Sequence, residues 1–170
     1  MGGWTCSVTD LVIRFIVALD VRLGIATEKG IPWKLPGDAA YFRQQTSTGL
    51  VVMGRATYAE FSAPLHERTN YVLTSKAEPL RDGFTPIGGL DQVTTGHPDD
   101  DIWVIGGGAV FASTMAQANE LYLTQVEADF QCTKFFPAYD DQFTRFDQSE
   151  THEEGGVSYR FEKWRRNRAA

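Results

Sequence analysis

One short stretch constrains this chain more than any other: Val104-Ile105-Gly106-Gly107-Gly108-Ala109-Val110-Phe111. An apolar, β-branched run ends in three glycines, and a segment of helical character follows at once. A buried strand that turns directly into a helix is the repeating unit of an α/β sheet. The remaining segments agree. Residues 12–19 are nearly all β-branched or apolar, as a strand covered on both faces requires. Further strands are expected over 50–53, 70–74, 102–105 and 121–128, with a weaker one over 85–87. Helical segments are expected over 38–46, opened by Pro36 and Gly37, over 56–62 and over 109–118.

The end of the chain has a different character. Residues 143–151 and 157–164 are joined by Glu153-Glu154-Gly155-Gly156, which predicts a hairpin. In its second arm Tyr159, Phe161 and Lys163 alternate with Arg160, Glu162 and Trp164, an imperfect period of two. The expected fold class is therefore α/β: a single-domain, doubly wound, mostly parallel central sheet with an antiparallel C-terminal hairpin. At 170 residues the chain fits one domain. We place it over residues 12–166, with 1–11 as an N-terminal extension. Residues 1–11 and the Asp/Gly/Pro-rich 96–101 are the segments expected to be poorly structured.

Bulk properties narrow the function classes. A net charge of −6 argues against a nucleic-acid backbone as partner, and the basic run over 163–168 reads as a solvated end. Cys6 and Cys132 match no metal or redox spacing, and neither do His66, His97 and His152, so no metal site is expected. No apolar run approaches a membrane span, and Arg14 interrupts the short apolar stretch near the start. Met1-Gly2 does not complete a myristoylation motif, because Cys6 stands where Ser or Thr belongs. These features describe a cytoplasmic, unanchored protein.

The glycine triplet points free backbone N–H groups at one spot, which suits a phosphate. It lacks the full dinucleotide fingerprint, since Phe111 occupies the place of the last glycine, and a tight turn with no ligand accounts for it equally well. Asp38 falls in the first turn of a predicted helix, where a carboxylate is stabilising on structural grounds alone. Phe42 lies one turn further along the same face, and Trp33 and Leu35 precede it. An acid walled by apolar groups has its charged form desolvated, which raises its pKa and makes it a catalytic candidate. Arg55, Arg68 and Lys76 stand near predicted strand ends; each is a surface charge or an anion ligand.

In order, these pieces resemble the dihydrofolate reductase family. The resemblance is carried by Ile16-Val-Ala-Leu19, Gly30-Ile-Pro-Trp-Lys-Leu-Pro-Gly-Asp38, Val52-Met-Gly-Arg-Ala-Thr57 and Asn70-Tyr-Val-Leu-Thr-Ser75. It continues through the glycine triplet, Leu121-Tyr-Leu-Thr124, Phe136-Pro137 and Tyr159-Arg-Phe-Glu162, and spans about residues 13–164. It implies NADPH as cofactor, dihydrofolate and antifolates as ligands, and a monomer. Asp38 would hold the pterin and assist protonation of N5, Thr124 would bond that acid, and Trp33 completes the catalytic set. Ile16, Ala18, Ile31, Ala39, Phe42, Phe61, Leu65, Ile105 and Tyr122 would line the substrate site, with Arg68 on the glutamate carboxylate. The resemblance places the backbone of Ala18 and Ile25 at the nicotinamide amide. Gly106, Gly107 and the following helix, with Gly108, Ala109, Val110 and Phe111, would hold the pyrophosphate, helped by Thr57. Arg55, Ser75 and Lys76 would read the 2′-phosphate, and Gly54, Ala56, Leu73, Thr74 and Ile105 would also bind the cofactor. Residues 23–35 would form the loop that closes over the nicotinamide, and in the family the bond between the first two glycines is cis.

The sequence departs from the family pattern at four places. Phe111 replaces a frequent tyrosine, Ala26 a common glycine of the closing loop, Ala56 a frequent cation, and Thr133-Lys134 an Asp-Thr pair in the bracing loop. Two other readings compete: a reductase of the riboflavin pathway acting on a ribitylamino-pyrimidine, and a nucleotide or folate binder without turnover. Asp38 after Pro32-Trp33, together with Arg68, favours the folate.

Overall fold

The computed structural model describes residues 11–168 apart from 48, 77 and 97–99. Cys6, His97, the Met1-Gly2 start and all of the proposed extension but Leu11 lie outside those residues.

Among the described residues eleven strands and four α-helices follow one another. The first half contains β1 (Ile13–Leu19), β2 (Gly24–Ala26), α1 (Pro36–Gln45), β3 (Leu50–Gly54), α2 (Arg55–Glu60), β4 (Thr69–Leu73) and β5 (Phe84–Ile87). Then come α3 (Asp91–Gly96), β6 (Ile102–Gly106), α4 (Gly108–Thr114), β7 (Glu120–Val126), β8 (Lys134–Phe135), β9 (Phe143–Gln148), β10 (His152–Glu154) and β11 (Val157–Arg166). The main sheet runs β10-β11-β7-β1-β6-β3-β4-β5, with β9 also on β11, and β2 pairs β8 apart from it. From β7 to β5 every pair is parallel, and β11 joins β7 antiparallel. Pro86 sits in β5, an edge strand, where its missing N–H costs no ladder bond.

Alternation along the strands divides the interior between the two sheet faces. Phe15, Val52, Val104, Leu121 and Leu123 pack with Val110, Phe111 and Met115 of the α4 segment and with Val93 of α3. Ile16, Val51, Met53, Val72, Trp103 and Tyr122 pack on the opposite side with Tyr58 of α2 and with Tyr41 and Phe42 of α1. Helices thus cover both faces, as a doubly wound sheet demands.

Two expectations needed adjustment. The helix expected over 109–118 ends at Thr114 and tightens into a 3₁₀ turn, Met115–Gln117. The first hairpin arm is two strands, β9 and β10, which share the ten-residue β11, with a register shift at Lys163/Trp164. The turn itself holds: Gly155 and Gly156 both have positive φ, 57° and 80°, as a two-residue primed turn needs. Finally, α3 occupies part of the region between β5 and β6.

The topology gathers the carboxyl ends of β1, β3, β4, β6 and β7 along one edge, where open α/β sheets place their ligands.

Candidate active site

α1 begins without a side-chain cap of its own, because Leu35 holds the N-cap position and Pro36 follows. None of its ten residues is fully buried, so this helix borders a cleft instead of plugging the core. Asp38 projects from its first turn toward β7, where the Thr124 hydroxyl donates to Asp38 Oδ1 at 2.6 Å. Burial pushes the Asp38 carboxyl above its ordinary value; the Thr124 bond opposes that push and the charge of Glu154 adds to it. One turn on, Tyr41 stacks on Phe161 with ring centroids 3.9 Å apart, and its buried hydroxyl has no partner among the described residues. Burial raises that phenol as well.

The expected substrate residues converge beside Asp38. Ile16 and Tyr122 are register partners, as are Ala18 and Thr124, so the four stand together on one face of β1 and β7. Phe42, Phe61, Leu65 and Ile105 pack against the cluster that contains Ile16 and Tyr122. Trp33 is buried with Leu35, Val126 and Tyr159, near Ala18, and meets Phe130 edge-on at 5.2 Å. Ala39 is exposed on α1, and Ile31 is 62% exposed on the approach to the cleft. Arg68 donates to the carbonyls of Thr46, His66 and Arg43 at 2.6, 2.9 and 3.0 Å. Three of its five N–H groups are so committed, which fixes the guanidinium and leaves two for a carboxylate.

The expected cofactor residues form a second surface at the same strand ends. The Gly106-Gly107 peptide is cis and Gly106 has φ +133°, a value that side chains disfavour. A Cβ at Gly106 would meet Thr57 Oγ1 at 3.2 Å, and one at Gly54 would strike Val110 Cγ2 at 2.5 Å. Both positions therefore keep backbone open at the turn. Leu73, Thr74 and Ser75 line a cleft of about 310 Å³ with Gly88, Gly89 and Ser113. Lys76 is exposed at its border, as is Ala56 in the first turn of α2. Arg55 NH2 is 3.0 Å from Glu78, while its NH1 is buried without a partner among the described residues. Ile25 is buried and lies 3.6 Å from where a Cβ at Gly108 would stand, and Ala109 is exposed beside it. Phe111 is 1% exposed and clasped between Phe15 and Phe136, both centroids at 5.1 Å. Its ring edge lies 3.8 Å from a Cβ position at Gly106, so it supports the turn from beneath.

The family model described as dihydrofolate reductase matches residues 12–166. The chain belongs to the dihydrofolate reductase family. It is 32% identical over 140 residues to the dihydrofolate reductase of Bacillus subtilis, covering 82% of this chain and 83% of that one. The dihydrofolate reductase of Heliothis virescens is 30% identical over 183 residues, 93% of this chain and 99% of its own length. Among solved structures, the dihydrofolate reductase from Enterococcus faecalis complexed with NADP(H) and RAB-propyl superposes with a TM-score of 0.83. Its identity is 26%, with 92% of this chain and 97% of that chain covered. Among the described residues no helix is long and apolar enough to cross a membrane.

Family motifs did not single out every group at the reductase site. Glu154, Tyr159 and Tyr41 act on Asp38 or its hydrogen-bond partners, and Glu78 meets Arg55, yet the sequence assigns none of the four to the site. Glu154 lies 117 residues from its partner Gly37, and no local pattern encodes such a meeting.

Proposed function

We propose that this chain reduces 7,8-dihydrofolate to 5,6,7,8-tetrahydrofolate with NADPH, as an oxidoreductase acting on a CH–NH bond of the pterin. The observation that carries the reading is one desolvated carboxyl, Asp38, held by Thr124 at 2.6 Å between an apolar pocket and a glycine turn. The turn fits the cofactor, since the lack of a Cβ lets Gly54 pack on Val110 and Gly106 on Thr57, and the bare backbone of the glycine run stands at the start of α4.

NADPH bound there supplies the hydride that reduces C6 of the pterin. The chain's own residues align, desolvate and protonate. Asp38 holds the pterin amino group and ring nitrogen and assists protonation of N5, and burial raises its pKa in the direction that this role requires. Thr124 fixes the carboxyl's orientation. Trp33, Phe42, Ile16, Ile31, Ala39 and Tyr122 wall the pterin, while Phe61 and Leu65 hold the benzoyl group and Arg68 the glutamate carboxylate. The backbone of Ala18 and Ile25 would take the nicotinamide amide. Gly106, Gly107 and the helix that follows through Phe111, helped by Thr57, would hold the pyrophosphate. Arg55, Ser75 and Lys76 would take the 2′-phosphate, and Gly54, Leu73, Thr74 and Ile105 would complete the cofactor site. Antifolates that present the same ring edge compete at Asp38. We place the reductase domain over residues 12–166, acting as a monomer in the cytoplasm.

The test is the rate of NADPH consumption on adding dihydrofolate, with Asp38→Asn alongside. Fast consumption that collapses in the variant is the expected result. Consumption with a ribitylamino-pyrimidine instead would assign the riboflavin-pathway reaction. NADPH binding without consumption would leave a binder.

A further inference from the structure

α1 carries the acid yet cannot cap itself. Leu35 at the N-cap has no polar side chain, and Pro36 has no N–H. The first free donor, Gly37 N, bonds to Glu154 Oε1 at 2.8 Å, and Glu154 comes from the distant β10. The Tyr159 hydroxyl donates to the same carboxylate oxygen. A Cβ on residue 37 would collide with both the Glu154 carboxylate and the Tyr159 hydroxyl. Glycine is therefore required there by the hairpin, not by helix geometry. Two carboxylates thus share one helical turn: Asp38 from within it and Glu154 from outside.

We propose that Glu154 is a positioning residue for the reaction: it caps the helix that bears Asp38 and, through its charge, sets the pH range over which Asp38 delivers a proton. This rests on the reading of Asp38 as the acid. The Glu154 carboxylate accepts from the Gly37 N–H at the helix end and from the Tyr159 hydroxyl. A fixed negative charge beside Asp38 favours its protonated form, in the same direction as burial and against the Thr124 bond. Tyr159 stays a donor throughout, its hydroxyl pushed up to about 12 by burial, by its bond to Glu154 and by the two carboxylates.

Other groups face this pair. Tyr41 comes from α1, Thr124 and Tyr122 from β7, and Tyr159 from β11, while Asp147 of β9 acts on Tyr41. His152 of β10 stacks on Tyr159 at 5.5 Å, and Lys163 and Arg14 lie over the Tyr122 ring. Of these only His152 ordinarily titrates near neutrality, so the experiment must separate it from Asp38.

The experiment is single-turnover hydride transfer against pH for the unmodified protein, Glu154→Gln, Glu154→Ala and Asp38→Asn, with NADPH affinity measured for each. Glu154→Gln keeps an acceptor for Gly37 and removes the charge. Its limb of falling rate should move to lower pH by at least about 0.3 unit, a twofold change in proton affinity, with NADPH affinity unchanged. Glu154→Ala should move the limb the same way and also lower the melting temperature, since the cap is gone. A midpoint unmoved or raised in both Glu154 variants, with the limb lost in Asp38→Asn, would overturn the proposal and leave Asp38 as the acid. A limb that survives unchanged in Asp38→Asn would belong to another group such as His152, and would overturn the reading of Asp38 itself.

Discussion

Thr124 Oγ1 donates to Asp38 Oδ1 at 2.6 Å, tying the helix that borders the cleft to a strand 86 residues away. Thr124 is 2% exposed, so valine can replace it with little change of shape. The bond stabilises the carboxylate, and its removal leaves burial and the Glu154 charge unopposed. Thr124→Val should therefore move the pH–rate limb upward, opposite to the shift expected for Glu154→Gln. A hydrogen bond to a charged group is worth roughly 1.5–3 kcal/mol, or about one to two pH units at most. Loss of the hydroxyl also frees the carboxyl to turn, so the plateau rate should fall. A limb that moves to lower pH would show that Thr124 does not bond the ionised form.

Two aspartates should give opposite pH signatures in stability. Asp20 is 1% exposed and would be pushed up by burial, but N–H bonds from Gly24, Arg22 and Phe130 hold it below its ordinary 3.8. Its contribution is present above the unfolded value and is lost as pH falls through the lower folded value. Asp20→Asn should destabilise by about 1–3 kcal/mol near neutrality, with the deficit shrinking below about pH 4. Asp38, raised instead, is fully tolerated only below its unfolded value and costs stability as pH rises through the folded one. Asp38→Asn should therefore be more stable than the parent near pH 8, and the gain should vanish in acid. Urea unfolding of both variants across pH gives the signs directly.

Arg68 is held by three carbonyls at 2.6 to 3.0 Å, so its orientation is built before any ligand arrives. Arg68→Lys offers a point charge that cannot make those bonds and still present a fork. We expect both Arg68→Lys and Arg68→Ala to raise KM for dihydrofolate about tenfold or more, with kcat changed far less. Truncated substrates lacking the glutamate should bind variant and parent equally. Equal losses on both substrates would mean that Arg68 only supports the turn after Thr46.

Much of this arrangement was legible in the sequence, because strong local patterns encode it. The β-branched runs of β1, β3 and β6 and the glycine triplet fix the sheet and its turn, and Asp38 stands out against Trp33 and Phe42. β2 and β8 did not stand out, since strands of three and two residues show no periodicity. α3 was hidden by its polar sequence, in which only Val93 is buried. In the sequence Glu154 belongs to a turn, because its partner Gly37 is brought to it only by β11 lying antiparallel on β7. The sequence assigns Phe111 to the cofactor, yet its ring fills the stack between Phe15 and Phe136.

The Arg55–Glu78 pair bears on cofactor choice. Glu78 occupies one nitrogen of the guanidinium at 3.0 Å and would oppose an arriving 2′-phosphate. Removing that charge with Glu78→Gln should strengthen NADPH binding a few-fold, within the roughly 1 kcal/mol of an exposed pair, and leave NADH binding unchanged. Arg55→Ala with Lys76→Ala should narrow the gap between the two cofactors. Dissociation constants for both nucleotides decide it; an unchanged ratio in all variants would remove Arg55 from the phosphate site.

The segment over residues 23–35, expected to close over the nicotinamide, is tied to residues 133–136 by bonds that can be tested. Thr133 stands where an aspartate is common, so it cannot accept N–H bonds through a carboxylate. Thr133 N instead donates to Ala26 O at 2.9 Å, and Thr133 Oγ1 donates to Glu28 Oε1 at 3.0 Å. The short β2–β8 ladder runs beside this bond. Phe136 N adds a bond to Leu23 O at 2.8 Å. Thr133→Ala removes only the side-chain bond, which in this exposed setting is worth about 0.5–1.5 kcal/mol. A closed loop favoured by that amount loses up to about tenfold in population. Amide exchange over residues 24–30 should therefore quicken in Thr133→Ala, and Glu28→Gln should produce a smaller change because an amide oxygen still accepts. If closure limits turnover, hydride transfer should slow in both variants while NADPH affinity stays constant. Unchanged exchange in Thr133→Ala would show that the backbone bonds of Thr133 and Phe136 hold the loop without the side chain.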